Sequence, residues 1–455
     1  MPEPATISGG AGGVDADYDD MFTLADSSDD LALTLGRISG ECHLVVGDPD
    51  LLASAALAPA SAARFTGALL AALDGPDGLT AQAAVFGTRA LSLRAAVATY
   101  EATDRVQAAL IDAVRFTAGL AAPVALPGVV AGAGLFAVTH PGAVAALVKD
   151  PPDIQRLLTD HPGTVDTVVG AGPGLISWLP GVGITGVPGA ADLIANLYPD
   201  GRHTVTDAGV DPDPRTARPP AGIGDLVDGL DHRNSAVKGG EPDRIDVRVI
   251  TATDGSRSYV VDIPGTKDWN GPLGHNPELN DLGTNLHVLG GDVSTRELAI
   301  ADALRRAGAG STDPVMLIGH SQGGMVAAQA AHDHGSAAFD FNVTHVVTAG
   351  SPVGRIDVPG DVQVLSLENR HDIVPHLDAA DNPDRANWTT VTFANQHGTI
   401  GDDHSTTVSY LPAARELDGS TDPSITAFRE SAANYLTGAT VENRVYELTR
   451  VEAAR

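Results

Sequence analysis

The stretch MLIGHSQGGMVAAQAA, Met316 to Ala331, decides how the rest of the chain is read. Pro314 to Ile318 is too short for a helix and too apolar for a loop, and it reads as a buried parallel strand. The alanine- and methionine-rich segment after it is good helix-forming material. Between them stands Gly319-His320-Ser321-Gln322-Gly323, a G-x-S-x-G pattern followed at once by Gly324. A strand that reverses directly into a helix forces its central residue into a strained conformation, and glycines two positions either side leave room where a Cβ would collide. The Ser321 hydroxyl is then lifted clear of the sheet. The Gln322 amide, at the helix N-terminus, points toward the same spot as an oxyanion donor. A structural β-α turn in a chain with 51 glycines is the alternative reading.

A serine hydroxyl is barely ionised at neutral pH, so it needs a base within hydrogen-bond reach and a third group that orients the base. Both should follow Ser321, at strand ends on one edge of the sheet. VQVLSLENRHDIVP contains a strand, Val362 to Leu367, that runs into a polar turn holding Glu368 and Asp372. Asp372, beside Ile373-Val374-Pro375, is the preferred acid, and Glu368 belongs with the strand end. An Asp372 that only anchors the turn is the alternative. Among 15 histidines, His320 lies inside the elbow, His332 and His334 end the next helix, and His376 is too close to Asp372 along the chain. His397 and His404 remain. GDDHSTTVSYLP sets His404 in a polar loop before a short apolar segment, which favours it as the base.

The 455 residues suffice for two or three domains with a sizeable core. A formal charge of -30 repels phosphate backbones, which excludes a nucleic-acid partner. The lysines are Lys149, Lys238 and Lys267 alone, too few for a polybasic membrane patch. Cys42 is the single cysteine, so neither an internal disulfide nor a thiolate zinc site is expected. MPEPATISGGAGG has no basic segment leading into an apolar one, so no ordinary signal peptide is expected. Phe116 to Val148 and Thr167 to Ala191 carry long uncharged runs, yet Pro123, Pro127, Pro141, Pro173, Pro180 and Pro188 interrupt them. Short buried or surface-seeking helices are expected there, and membrane contact is the lesser reading.

Four regions follow from these signals. Residues 1–118 read as a helical hairpin domain, with Met21, Leu24, Leu31, Leu33 and Leu35 at helical spacing and a second run, Ala81 to Val114, after the Asp74-Gly-Pro-Asp-Gly break. Residues 119–210 form a Gly/Ala/Pro-rich helical region. Residues 211–235, opening with Asp211-Pro-Asp-Pro and containing Pro219-Pro220, read as a linker. Residues 236–455 form the catalytic domain. There Ile245, Val247 and Val249 alternate with polar neighbours, a Thr253-Asp-Gly-Ser-Arg turn leads back into Ser258 to Ile263, and Ser294-Thr-Arg-Glu297 is a capping box. Further strands are expected at Val315 to Ile318, His345 to Ala349, Val362 to Leu367 and Thr389 to Phe393. Strands alternating with helices give an α/β fold with a mostly parallel sheet, preceded by an α-helical N-terminal domain.

From Ile245 to Leu436 the chain resembles the lipase and esterase branch of the α/β-hydrolase superfamily. The likeness rests on Gly319-His320-Ser321-Gln322-Gly323-Gly324, Asn369-Arg370-His371-Asp372-Ile373-Val374-Pro375, Thr348 to Gly354, and His404-Ser405. It implies the α/β-hydrolase fold, a triad in the order serine, acid, histidine, and a second oxyanion amide from Pro264-Gly265-Thr266, with Thr266 as the donor. No run of consecutive glycines follows that strand, in departure from the family. The helical half looks like actinobacterial type VII secretion substrates through Tyr100-Glu-Ala-Thr-Asp104, although their tryptophan-x-glycine turn is missing. An exposed i,i+4 pair is the alternative for Tyr100 and Asp104.

The sequence therefore points to a serine hydrolase cleaving carboxylic esters, with Ser321 as nucleophile, His404 as base, Asp372 as acid, and the Gln322 and Thr266 amides as oxyanion donors. No metal or organic cofactor enters this scheme. The expected partner is a small-molecule or lipid ester, with an export partner for the N-terminal helices and a secreted or cell-envelope location, a cytoplasmic one being the alternative. Trp269 is placed either in an acyl pocket or over the core. A thioesterase or amidase with the same three residues, and a non-catalytic interaction protein on a hydrolase fold, are the rival readings.

Overall fold

The computed structural model describes residues 5–11, 18–101, 154–177, 184, 186–198, 201–271, 277–438 and 440–451. The chain divides into two compact units, Asp15–Gln107 and Met1–Val14 with Ala108–Arg455. In the smaller unit, proline opens two of the four helices among the described residues, α1 (Tyr18–Leu44), α2 (Pro49–Leu57), α3 (Pro59–Asp74) and α4 (Leu79–Glu101). A proline fits the first helical turn, where its missing N–H is not needed. Asp48 caps α2 by accepting from the amides of Asp50 (2.9 Å) and Leu51 (3.3 Å). α1 packs along α4, and Arg94 of α4 pairs with Asp26 at 2.8 Å and with Asp29. The simple hairpin expected here is thus a four-helix arrangement in which first and last helices pair, because Pro49 and Pro59 cut the intervening chain. Tyr100 lies on α4, whereas Asp104 and the stretch Phe116 to Val148 fall outside the described residues.

The larger unit is a nine-stranded sheet in the order β1-β8-β7-β6-β5-β4-β3-β9-β2. Its strands are β1 (Thr6–Gly9), β2 (Arg202–Val210), β3 (Asp243–Thr251), β4 (Arg257–Ile263), β5 (Pro314–His320), β6 (Asn342–Ala349), β7 (Gln363–Asn369), β8 (Trp388–Phe393) and β9 (Thr440–Val451). β4 through β8 pair in parallel, and β1, β3, β9 and β2 add antiparallel strands at the two flanks. Helices cover both faces, as a parallel sheet requires. Among the described residues the helices of this unit are α5 (Ile154–Asp160), α6 (Gly163–Ile176), α7 (Gly186–Ala195), α8 (Ile223–Ala236), α9 (Leu282–Gly290), α10 (Thr295–Arg306), α11 (Gln322–His332), α12 (Ile400–Asp403), α13 (Leu411–Leu417), α14 (Pro423–Ser431) and α15 (Ala433–Leu436). Side chains alternate along each strand, so Val315 and Leu317 meet Ile300, Leu304 and Val326 of α10 and α11, while Met316 and Ile318 belong to a second core with α8, α13 and α14. Ser294 caps α10 by accepting from the Glu297 amide at 3.1 Å. Among the described residues no helix is long and apolar enough to cross a membrane.

Three regional boundaries are corrected. Residues 211–235 are not a linker, because Ile223, Leu226, Val227 and Leu230 sit at helical spacing on α8 and are fully buried under the sheet. Polar Asp225 and Asp228 between them, and Asp231, His232 and Arg233 directly after, obscure that stripe, and Pro219-Pro220 stops the chain only up to the helix start. Residues 202–210, placed in the helical region, form an edge strand on β9. Residues 6–9, placed in the helical domain, pair with β8, a partner nearly four hundred residues away that no local pattern reveals. Truncating Leu230 to alanine should therefore cost about 2–5 kcal/mol in urea unfolding, as a core leucine does. A loss below about 0.5 kcal/mol, typical of an exposed linker, would contradict this placement.

Candidate active site

β5 ends and α11 begins within one residue. Ser321 occupies that reversal at φ 56°, ψ -124°, a region that residues with a Cβ seldom adopt. Its amide donates to the Ala349 carbonyl at 2.9 Å, tying the elbow to the end of β6. A Cβ on Gly319 would stand 2.1 Å from the Gly323 carbonyl carbon, and one on Gly323 would stand 2.0 Å from the Ile263 carbonyl oxygen. The turn therefore needs both glycines. Gln322 follows as the first residue of α11, where helix amides lack an intrahelical acceptor.

Asp372 lies in the loop after β7 and is fully buried. One of its oxygens, Oδ2, accepts from His404 Nδ1 and from the Tyr410 hydroxyl, both at 2.6 Å. The other accepts from the Val374 amide at 2.9 Å. With Nδ1 committed to the carboxylate, Nε2 is the remaining nitrogen of the His404 ring. That ring lies 4.4 Å from the ring of His320, the neighbour of Ser321, whose Nε2 donates to the His404 carbonyl at 2.8 Å. Burial, reinforced by the adjacent His404, holds His320 well below the usual histidine range, so it is neutral. Burial and then the Asp372 charge push the Tyr410 phenol well above its ordinary value, so it stays a hydrogen-bond donor. A π-helical turn, Thr406–Tyr410, carries this tyrosine back toward the acid.

Pro264-Gly265-Thr266 leaves the end of β4 against the elbow. A Cβ on Gly265 would be 3.0 Å from both Ser321 Cβ and His320 Nδ1. The Gly265 amide donates to Asn234 Oδ1 at 3.1 Å, and Thr266 Oγ1 accepts from Asn285 Nδ2 at 3.0 Å. Lys267 Nζ donates to the Asn234 carbonyl at 2.8 Å. Burial, with Arg296 nearby, lowers that amine. At the same end of α8, Asp231 accepts from Thr406 (2.6 Å) and Thr407 (2.7 Å), beside His404 in sequence. α8 thus fastens the Gly265 loop and the His404 loop together.

The structure brings Asp372 and His404 into contact, sets His404 beside the residue preceding Ser321, and lays the Gly265-Thr266 loop on the elbow. The other candidates go elsewhere. Glu368 accepts from Asn382 at 2.6 Å, and burial raises it to about 7. His397 uses its amide to bond Asp403 at 2.6 Å. Trp269 is 65% exposed and so does not cap the core. Asn234, Tyr410 and Arg296, which build the surroundings of the site, were not singled out from sequence. Only the capping box around Arg296 carried a signal, and it marked a helix start. Beside α11, one turn beyond Ser321, Met325 lines a cavity of about 230 Å³ of mixed character, with Val288 and Ile356 on one hand and His332, Arg355 and Asp357 on the other. Asp211, His232 and Asp246 come close enough to hold a metal ion. Arg233, however, donates to Asp211 (2.9 Å) and Asp246 (2.8 Å), and Arg215 sits 2.6 Å from His232, so the cluster is a charge-compensated ion network.

Comparison with known families agrees with this geometry at the level of the fold. Residues 292–411 match the family described as PGAP1-like alpha/beta domain. The matched stretch runs from just before α10 to the start of α13 and includes Ser321, Asp372 and His404. It supports an α/β-hydrolase-like superfamily for the C-terminal region and gives no support to a type VII secretion likeness of the helical half. No curated protein and no solved structure gives a match.

Above the loops that follow β7 and β8 sit α5 and α6. His371 Nδ1 donates to the Thr159 carbonyl at 2.9 Å, Gln396 Nε2 to Asp160 at 2.7 Å, and His376 Nδ1 pairs with Asp166 at 2.8 Å. Two of these three anchors flank Asp372 in sequence. Burial alone would lower His376, but the Asp166 carboxylate outweighs it, with Glu368 and Asp381 adding to the effect, and the net shift is upward from 6.5. A raised histidine stabilises the fold fully below its unfolded value and loses that contribution as pH rises through its folded value. The thermal stability gap between the native protein and His376→Gln should thus be wider at about pH 5.5 than at about pH 9. An equal gap at both pH values would contradict the pairing.

Proposed function

We propose that the chain is a serine hydrolase that cleaves carboxylic esters through an acyl-enzyme. The observation that carries this reading is the 2.6 Å contact between His404 Nδ1 and buried Asp372, beside a serine held in a strand-to-helix elbow. In the first step, Ser321 Oγ attacks the acyl carbonyl carbon while His404 Nε2 takes its proton. Asp372 stabilises the imidazolium that forms and keeps the ring in the useful tautomer. The negative charge on the former carbonyl oxygen is met by backbone amides. The Gln322 amide, at the start of α11, is one. The Gly265 amide is already engaged by Asn234, which favours the Thr266 amide as the second. His404 then returns the proton to the leaving alkoxide, and water, activated by the same imidazole, releases the acid.

Thioesters and amides present the same electrophilic carbon, so matched oxygen ester, thioester and amide substrates identify the leaving group. Ser321→Ala should abolish p-nitrophenyl ester turnover with an unchanged circular dichroism spectrum and melting temperature. Asp372→Asn should lower kcat about 10⁴-fold, as loss of the orienting carboxylate does. Turnover retained in either variant would contradict the assignment, and an inactive native protein would favour a binding role on a hydrolase fold.

A further inference from the structure

Arg296 is a fully buried arginine on the first turn of α10, where its side chain reaches back past the helix start. Its Nε and one terminal nitrogen grip the two oxygens of Asp243 at 2.8 and 2.9 Å, and Asp243 is itself fully buried. Such a two-pronged pair fixes the plane of the guanidinium. The other terminal nitrogen divides its donors between the Pro264 carbonyl at 3.0 Å and Gln322 Oε1 at 2.9 Å. Pro264 stands two residues before Thr266 on the loop after β4. Gln322 opens α11. The one guanidinium therefore touches both segments that supply oxyanion amides.

We propose that Arg296 is a positioning residue that sets the spacing between the Thr266 and Gln322 amides by holding the Pro264 carbonyl and the Gln322 side chain on one rigid plane. The inference rests on the hydrolase reading above. Gln322 is held from its other side as well, since its Nε2 donates to the Asp281 carbonyl at 2.5 Å. Asp281 in turn caps α9 through the Thr284 amide at 2.9 Å and binds Arg450 at 2.7 Å. The Gln322 side chain thus has no freedom to carry its backbone away from the elbow. The Pro264 loop is tied to α8 and α9 through Gly265, Thr266 and Lys267, and among the described residues Arg296 joins its Pro264 carbonyl by hydrogen bonds to the Gln322 side chain on α11. A buried ion pair with a merely structural role needs only that its spare donors find some acceptor. Here they find the two residues whose relative position decides how well a tetrahedral anion is held. Lysine keeps the charge but has no planar fork, so it can serve Asp243 or the two acceptors, not all three together.

The test uses the full chain with Arg296→Lys and, separately, Gln322→Leu. The second variant removes both side-chain bonds of Gln322, the one to Arg296 and the one to Asp281, while keeping the Arg296–Asp243 pair and a backbone amide at position 322. For each, kcat and KM are read on p-nitrophenyl butyrate, together with the inhibition constant of phenylboronic acid, which forms a tetrahedral anion on the nucleophilic serine. We expect kcat to fall about ten- to a hundredfold, KM to stay within about twofold, and boronate affinity to weaken by the same factor as kcat/KM. A purely structural role would lower the melting temperature and leave kcat and boronate affinity of the folded protein at native values, which would overturn the proposal. Should Arg296→Lys fail to fold, the Gln322→Leu result alone decides, in either direction. A native protein that neither turns over ester nor binds boronate refutes the hydrolase reading itself, and the role of Arg296 falls with it.

Discussion

A serine held at φ 56° is the constraint on which the larger unit depends. Such a backbone costs on the order of 1–3 kcal/mol and survives only where its surroundings over-determine it. Here they do so from three directions. β6 receives the Ser321 amide, the end of β4 presses on Gly323, and Gly319 faces Gly323 across the turn at a distance no side chain could share. The parallel pairing of β4, β5 and β6 brings those three strand ends to one edge, so the elbow is a product of the sheet register. Asp372 follows β7 and Phe393 ends β8 on the same edge, which is why an acid and a histidine far apart in sequence arrive together.

Around the elbow the unit buries charge to an unusual degree. Arg233 with Asp246, Arg248 with Asp262, Arg296 with Asp243 and Arg450 with Asp281 all lie with little or no exposure. Burial raises Asp262 to about 6 even beside its arginine, a sign of how little solvent reaches the pair. Removing one member of such a pair typically costs about 3–5 kcal/mol, whereas replacing both by apolar groups costs much less. Pairs of this kind are weak devices for stability and strong ones for fixing geometry. Two of the four, those of Arg296 and Arg450, lead through Gln322 and Asp281 to the residue after Ser321.

Much of the central sheet was legible because its signals are local. The elbow, the β3–β4 hairpin, the Ser294 cap and the apolar runs of β5 to β8 each announce themselves within ten residues. Asp372 and His404 could be chosen by requiring an acid and a base at strand ends downstream of a serine. What escaped was non-local or disguised. β1 pairs with β8 and β2 with β9 across most of the chain length, and neither carries a distinctive pattern. α8 alternates its apolar stripe with aspartates, a histidine and an arginine, and a double proline stands before it, so its composition looks like that of a linker. Those same polar residues, Asp231 and Asn234, turn out to fasten the loops beside Ser321. Tyr410 gave no sign either, since an isolated tyrosine in an apolar stretch reads as core, and its bond to Asp372 is made from the end of a π-turn that no local pattern announces.

The central claim is that the Ser321 oxygen becomes nucleophilic because the His404 imidazole, steadied by Asp372, accepts its proton. The most direct measurement is covalent labelling of the native protein with a fluorophosphonate, followed by intact-mass and peptide mass spectrometry. The account predicts a single adduct on the peptide containing Ser321, formed in the native protein and absent when His404 is replaced by alanine. A protein that stays unlabelled, or labels equally well without His404, would contradict it.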